Sequence, residues 1–266
     1  PAVGVAAVGD AQHHDATRFD RFAVDEQRAG EPDRQGFDEW YGFLNQNHAV
    51  GHFPEYLWRD GRKEVLEANR NAGRGRYAND LFTDVAVDFI RRHRDRPFFL
   101  YVPYTIPHAD LDVPSQEPYA DRDWPGKAKT FAAMVTRLDG DVGRILDLLA
   151  DLGIDDDTLV LFTSDNGSPE GGGAMFRSNA GLRGRKGTLD EGGLRVPMIA
   201  RWPGRVPAAT VSDRPWYFAD VLPTLADLAG IRPPAAVDGV SIAATLRGEP
   251  QDLTTRAMYW ERPAPH

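Results

Sequence analysis

The sequence predicts an α/β fold with a mainly parallel sheet flanked by helices. Three observations predict it. Short, uninterrupted apolar runs recur at Pro97–Tyr104 ("PFFLYVPY"), Thr158–Thr163 ("TLVLFT") and Val196–Trp202 ("VPMIARW"). Such runs suit strands buried on both faces. Longer stretches with apolar residues at helical spacing lie beside them. The resulting order is helix, strand, helix, strand, loop, strand, helix, the rhythm of a sheet built with crossover helices.

Residues 1–35 are rich in Ala, Asp, Arg and Gln and lack periodicity, so they read as an irregular lead-in. From Gly36 to Phe43 ("GFDEWYGF") aromatics become dense, as in a layer packed on a core, and a long loop follows to residue 75. Tyr77 to Arg94 reads as a helix with Leu81, Val85, Phe89 and Ile90 on one face. Its last turn, Arg91-Arg92-His93-Arg94, is basic, which suits the negative end of a helix dipole. After the strand at 97–104, residues 127–152 form the clearest helix. Phe131, Met134, Val135, Leu138, Val142, Ile145, Leu146 and Leu149 make its apolar stripe. Arg137, Asp141, Arg144 and Asp147 lie off that stripe, and Gly153 stands where a C-cap belongs. Strands follow at 158–163 and 196–202. Residues 215–229 read as a helix opened by Pro215 and disturbed by Pro223. After Pro233-Pro234 a smaller layer begins, ending in Arg256–Glu261 ("RAMYWE"), read as a strand. The expected organisation is thus a lead-in (1–35), a main domain portion (36–232) and the start of a C-terminal subdomain (233–266).

The chain has 266 residues, enough for a substantial core in one large or two small domains. Its net charge is −9 and its Arg and Lys are scattered, which argues against nucleic acid as a partner. No apolar run approaches the roughly 20 residues that cross a bilayer, so no membrane segment is expected. Cysteine is absent, which removes disulfides, thiolate metal sites and cysteine nucleophiles.

In open α/β sheets, ligands sit beyond the carboxyl ends of the strands. Three polar groupings fall at such places. "TIPHAD" delivers His108, and "SDNG" delivers Asp165 and Asn166. A glycine-rich loop from Gly171 leads to "GLRGRKGTLDEGGLRVP", which delivers Lys186. Each has a plain alternative. Asp-Asn-Gly is a turn signal on its own. A lone His is commonly a loop hydrogen-bonder, and Lys186 beside Arg183 and Arg185 reads as a solvated basic loop. His48 and His52 are four apart, but Gly51 and Pro54 argue against a helix there, so both read as loop residues. Taken together the groupings are sharper. Asp and Asn offer hard oxygen ligands suited to Ca²⁺ or Mg²⁺. His108 can move a proton near neutral pH. Lys186 can neutralise an anionic oxygen. Transfer of a sulfuryl or phosphoryl group needs all three.

The chain resembles the sulfatases, the arylsulfatase-type branch of the alkaline phosphatase superfamily. Matching segments are "RQGFDEWYGF", "PFFLYVPYTIPHADLDVP", "FAAMVTRLDGDVGRILDLLADLGIDDDTLVLFTSDNG", "GLRGRKGTLDEGGLRVPMIARWPG", "FADVLPTLADLAG" and "DGVSIAATLRG". They keep the family's order from Gly36 to Gly248. The resemblance implies an alkaline-phosphatase-like fold and hydrolysis of sulfuric esters. It implies that Asp165 and Asn166 are metal ligands, for Ca²⁺ ahead of Mg²⁺. It implies that Lys186 binds the sulfate and that His108 gives a proton to the leaving oxygen. The partner implied is a sulfate ester, either a small molecule or a sulfated glycan.

The resemblance has gaps. The family's nucleophile is a formylglycine made from the Cys or Ser that opens a C/S-x-P/A-x-R motif. This chain has no Cys, and no Ser opens such a motif. The family's early Asp-Asp metal pair is missing, as is its Gly-Lys-Trp segment. The nearest echo is Val8–His14 ("VGDAQHH"), with Asp10 and Ala11 in place of Lys and Trp, and His13 and His14 take no role from it. The chain therefore reads as the middle and later part of a sulfatase, inactive alone. A degenerate paralogue is the other account. Two further readings compete: a phosphatase or phosphonate hydrolase of the same superfamily, and a non-catalytic module that holds sulfated glycans around Lys186. Specificity in this fold comes from loops, and residues 44–75 are the chief candidates.

Overall fold

The computed structural model describes residues 4–10, 31–108, 110–169, 174–233, 236–254 and 256–261. In chain order its elements are β1 (Gly4–Asp10), β2 (Glu39–Phe43), α1 (Gln46–Ala49), β3 (Tyr56–Arg59), β4 (Arg62–Val65), α2 (Ala78–His93), β5 (Phe98–Tyr101), α3 (Gly126–Asp151), β6 (Val160–Thr163), α4 (Glu191–Leu194), β7 (Met198–Arg201), α5 (Val221–Leu228) and α6 (Ala243–Leu246). The chain forms two units. The first holds residues 1–154 and 169–178, and the second holds 155–168 and 179–266.

In the first unit a five-stranded sheet runs in the order β4-β3-β2-β1-β5. β1 is central and parallel to both neighbours: Ala6 faces Glu39 on β2, and Gly4 faces Phe98 on β5. The lead-in expected to be irregular therefore contains a strand. Its residues show no amphipathic pattern in sequence, and the strand is revealed by its pairing on both sides. Residues 11–30, with His13 and His14, lie outside the described residues.

The long loop expected before residue 75 also contains structure. β3 and β4 pair antiparallel and extend the sheet beyond β2. Asp60 and Gly61 turn the hairpin with φ of 48° and 74°. Both positions need positive φ, which Asp-Gly tolerates, so the sequence did hold a hairpin signal. The Asp60 carboxylate fixes the turn by accepting the Trp40 N–H at 2.7 Å.

α2 buries Leu81, Phe82, Phe89 and Ile90, as its periodicity requires. Phe82 meets Tyr41 and Phe43 edge-to-face at ring separations of 6.2 and 5.8 Å, a favourable arrangement of ring quadrupoles. The basic last turn of α2 also reaches the sheet, where Arg92 pairs with Glu39 of β2 at 2.7 Å. α3 packs along α2. Two arginines that lie off its apolar stripe make ion pairs between the helices: Arg137 with Asp80 at 2.5 Å and Arg144 with Asp84 at 2.7 Å. Val135, placed on the stripe by spacing, is exposed, while Leu148 is buried. α3 ends as expected: Gly153 takes φ 67°, and the Ile154 N–H reaches back to the Leu149 carbonyl at 3.1 Å.

In the second unit β6 and β7 form an antiparallel pair, with Val160 opposite Arg201 and Thr163 opposite Met198. The apolar strands are less buried than their composition predicts. Phe162 and Ile199 face each other across the ladder and are 37% and 58% exposed. The helix expected over 215–229 starts later, at Val221, after a tight turn at Phe218–Asp220. Pro223 falls in its first turn, where the missing N–H costs nothing. Asp220 is fully buried, accepts the Val240 N–H at 2.9 Å and is held by Arg256 at 2.5 Å. That pair explains why the strand expected at 256–261 does not form. Arg256 is drawn to the buried carboxylate, Trp260 packs its ring against Tyr217 at 5.8 Å, and no sheet pairing engages this segment among the described residues.

Candidate active site

The loop after β6 is shaped by the backbone. The Ser164 hydroxyl donates to the Asn166 carbonyl at 3.2 Å, which turns the chain directly after the strand. Asp165 is exposed and Asn166 half-buried. The next residue, Gly167, donates its N–H to the Gly193 carbonyl at 3.0 Å. A Cβ on Gly167 would overlap the Gly192 carbonyl, so glycine is demanded here by close approach of two chain segments.

The same approach positions Lys186. Its backbone N–H donates to the Ser168 carbonyl at 3.1 Å. Asn179 completes the clamp: its side-chain oxygen accepts the Ser168 N–H at 3.0 Å, and its amide donates to the Gly184 carbonyl at 2.8 Å. Gly184 has φ 85°, a turn that favours glycine. The structure thus brings Asp165, Asn166 and Lys186 onto one loop cluster of the second unit. The Lys186 side chain is exposed and makes no ion pair among the described residues. Part of the expected glycine-rich loop, Gly171 included, lies outside the described residues.

His108 belongs to the first unit, on a loop pinned to the start of α2. Tyr77 and Asn79 do the pinning, while Ala78 between them holds a different segment. Tyr77 donates its hydroxyl to the Asp112 carbonyl at 2.9 Å. The Ala78 N–H goes to the His52 carbonyl at 2.9 Å. Asn79, fully buried, exchanges two bonds with Thr105, each of 3.2 Å. Arg74 adds a bidentate pair with the Asp112 carboxylate at 2.5 and 2.7 Å, and its guanidinium holds that carboxyl below the usual range. Ile106 and Val113 are buried against Tyr77, Ala133 and Met134, so apolar anchors flank His108 on both sides. His108 itself is half-buried, with its N–H on the Thr105 carbonyl at 3.1 Å.

Among the described residues, no group of three or more His, Cys, Asp or Glu side chains gathers as a metal site. Asp165 and Asn166 supply two hard oxygens, right in kind for Ca²⁺ or Mg²⁺. They are fewer than the 6–8 that Ca²⁺ takes. The formylglycine precursor has no candidate in this chain, which lacks cysteine. His48 lies on α1 and His52 beyond its end, so the two do not share a helix face. No helix among the described residues is long and apolar enough to cross a membrane.

Sequence reasoning missed Asn79 and Asn179, and read His52 as a plain loop residue. Both asparagines are isolated polar residues with no motif spacing. Asn79 stands inside an otherwise apolar helix face, which was the one available signal.

The architecture matches that of solved proteins. It superimposes on Ps i-CgsB in complex with k-i-k-neocarrahexaose with a TM-score of 0.76 at 28% identity, covering 93% of this chain and 56% of that one. The fold is that of the alkaline phosphatase superfamily. Within it the chain belongs to the sulfatase family, whose model matches residues 16–231. N-acetylgalactosamine-6-sulfatase of Canis lupus familiaris is 36% identical over 251 residues, 87% of this chain and 45% of the relative. The same enzyme of Homo sapiens is 37% identical over 234 residues, 81% of this chain and 42% of the relative. The chain thus spans less than half the length of these relatives. Family membership implies a metal ion and a formylglycine.

Proposed function

We propose that the protein hydrolyses sulfuric esters carried on a glycan, and that this chain supplies part of the machinery. The observation that supports the reading is the backbone bond from Lys186 to Ser168, which fastens the segment bearing Lys186 to the loop that carries the Asp165-Asn166 pair. A divalent cation, Ca²⁺ in this reading, held by Asp165 and Asn166, would offset charge on the sulfate oxygens. Lys186 adds a point charge to the same task. Cleavage of the S–O bond leaves an alkoxide-like oxygen that needs a proton, and His108 delivers it. The formylglycine implied by the family has no Cys, and no Ser in its motif, to arise from in this chain.

The names of two relatives, which specify a 6-sulfated amino sugar, support a glycan substrate. A sulfate-release assay on N-acetylgalactosamine 6-sulfate, run beside a phosphate monoester, tests the reading on the natural protein. Sulfate release that falls at least tenfold in His108→Ala is expected, in line with the typical weight of a general acid. Preference for the phosphate ester would transfer the assignment to a phosphatase.

A further inference from the structure

Four aromatic rings follow one another beside the N-terminal half of α3. Tyr119 stacks on Trp124 at 5.5 Å and 22°, Trp124 meets Phe176 edge-to-face at 5.3 Å, and Phe176 stacks on Phe131 at 6.2 Å and 16°. Phe131 is buried, and Tyr119 and Trp124 are half-buried. Phe176 is 36% exposed and its neighbour Met175 47%. All of them belong to the first unit. Apolar surface gathered in one exposed patch marks a binding face more often than residues scattered singly.

Side-chain bonds to α3 fix the segment that bears Tyr119 and Trp124. Gln116 donates to the Thr130 hydroxyl at 2.9 Å, the Tyr119 and Thr136 hydroxyls share a bond of 2.8 Å, and the Lys129 ammonium donates to the Ala120 carbonyl at 2.7 Å. A surface set before its ligand arrives loses little entropy on binding. Tyr119 also packs on the cluster of Tyr77, Ile106 and Val113, which anchors the His108 loop. The patch is thus built on the continuation of that loop. Its polar groups are unspent. The Trp124 indole N–H has no acceptor among the described residues. The exposed Arg122 guanidinium stands 5.8 Å from the Trp124 ring centre. It pairs with no carboxylate among the described residues, although Asp121 and Asp123 adjoin it in sequence.

This inference rests on the reading of the substrate as a sulfated glycan. We propose that the Trp124–Phe176 pair, with Arg122, is a subsite for a sugar of that glycan other than the one that loses its sulfate. A sulfated sugar ring has an apolar C–H face, a rim of hydroxyls and an anionic ester. The aromatic pair takes the first, the indole N–H donates to the second, and the guanidinium meets the third. A purely apolar partner would leave the indole N–H and the guanidinium unused.

The test compares two probes on the natural protein: N-acetylgalactosamine 6-sulfate, and a tetrasaccharide that ends in it and is sulfated on every sugar. Calorimetry gives Kd for each, and sulfate release gives KM. The wild type should bind the tetrasaccharide about tenfold or more tighter than the monosaccharide. Trp124→Ala and Phe176→Ala should each erase most of that ratio, with the loss appearing in KM rather than kcat. Arg122→Gln should reduce it by about fivefold, and by less than about twofold when only the terminal sugar carries sulfate. Equal Kd for the two probes in the wild type overturns the proposal, as does an unchanged ratio in the Trp124 and Phe176 variants. A lower Tm in those variants with an unchanged ratio makes the cluster internal packing and overturns it too. Should Trp124→Ala fail to fold, Phe176→Ala and Arg122→Gln, both at exposed positions, decide by the same ratio. A wild type that binds the tetrasaccharide through Trp124 yet releases no sulfate counts against the hydrolase reading alone.

Discussion

The backbone N–H of Lys186 donates to the carbonyl of Ser168 at 3.1 Å, two residues past Asn166. Lys186 and the Asp165-Asn166 pair are thereby borne on one loop cluster by main-chain geometry. Long side chains are free to move, but the segments that bear them are not. The contact depends on glycines that let the two chain segments touch.

Gly167 tests that dependence. Gly167→Ala places a methyl on the Gly192 carbonyl, so one of the two backbone segments must shift. Loss of the Gly167–Gly193 bond is expected, with sulfate release reduced by tenfold or more. Gly140→Ala is the control, since a Cβ there meets nothing within 4 Å. It sits inside α3 and should add roughly 0.5–1 kcal/mol of stability through helix propensity. Equal damage from both substitutions would show that the close approach is not what matters.

Asn79 tests the anchoring of the His108 loop. Asn79→Ala leaves the Thr105 N–H without its acceptor and removes a buried donor. A loss of about 1–3 kcal/mol is expected from the unpaired groups. Hydrogen exchange should show the 105–113 loop opening more often than the rest of the first unit. Uniform exchange would indicate that Ile106 and Val113 hold the loop without Asn79.

His52 imposes a pH dependence on stability. The unfolded ring titrates near 6.5 and the folded ring at about 4. Between these values the unfolded chain binds more protons, so stability is full above pH 6.5 and falls as pH drops toward 4. At roughly 1.4 kcal/mol per unit, the loss is on the order of 3 kcal/mol. Melting temperature followed from pH 7 to pH 4 should fall, and His52→Gln should flatten that limb. An identical limb in the variant would mean that other groups carry it.

Much of this was readable in the residues, and the exceptions share a physical cause. α2 and α3 announced themselves through apolar spacing, and Gly153 marked where α3 ends. Lys186, Asp165 and Asn166 were found as motifs, and the Lys186 backbone bonds to Ser168, two residues past Asn166. β1 was hidden because its small side chains carry no alternation, and its stability comes from β2 and β5 on either side. The β3–β4 hairpin was announced only by Asp60-Gly61, inside a stretch whose aromatics drew attention elsewhere. The segment at 256–261 has strand composition, yet one ion pair, Arg256 to buried Asp220, decides its path. Long-range pairs of that kind have no local signature.

Calcium titration of the natural protein by calorimetry, repeated for Asp165→Ala and Asn166→Ala, tests the central claim most directly. The expected result is a site whose affinity falls at least tenfold in each variant, with sulfate release falling in parallel, because each removes one hard oxygen from the cation. Unchanged affinity and unchanged sulfate release in both variants would contradict it and leave the Asp-Asn-Gly segment as a turn and nothing more.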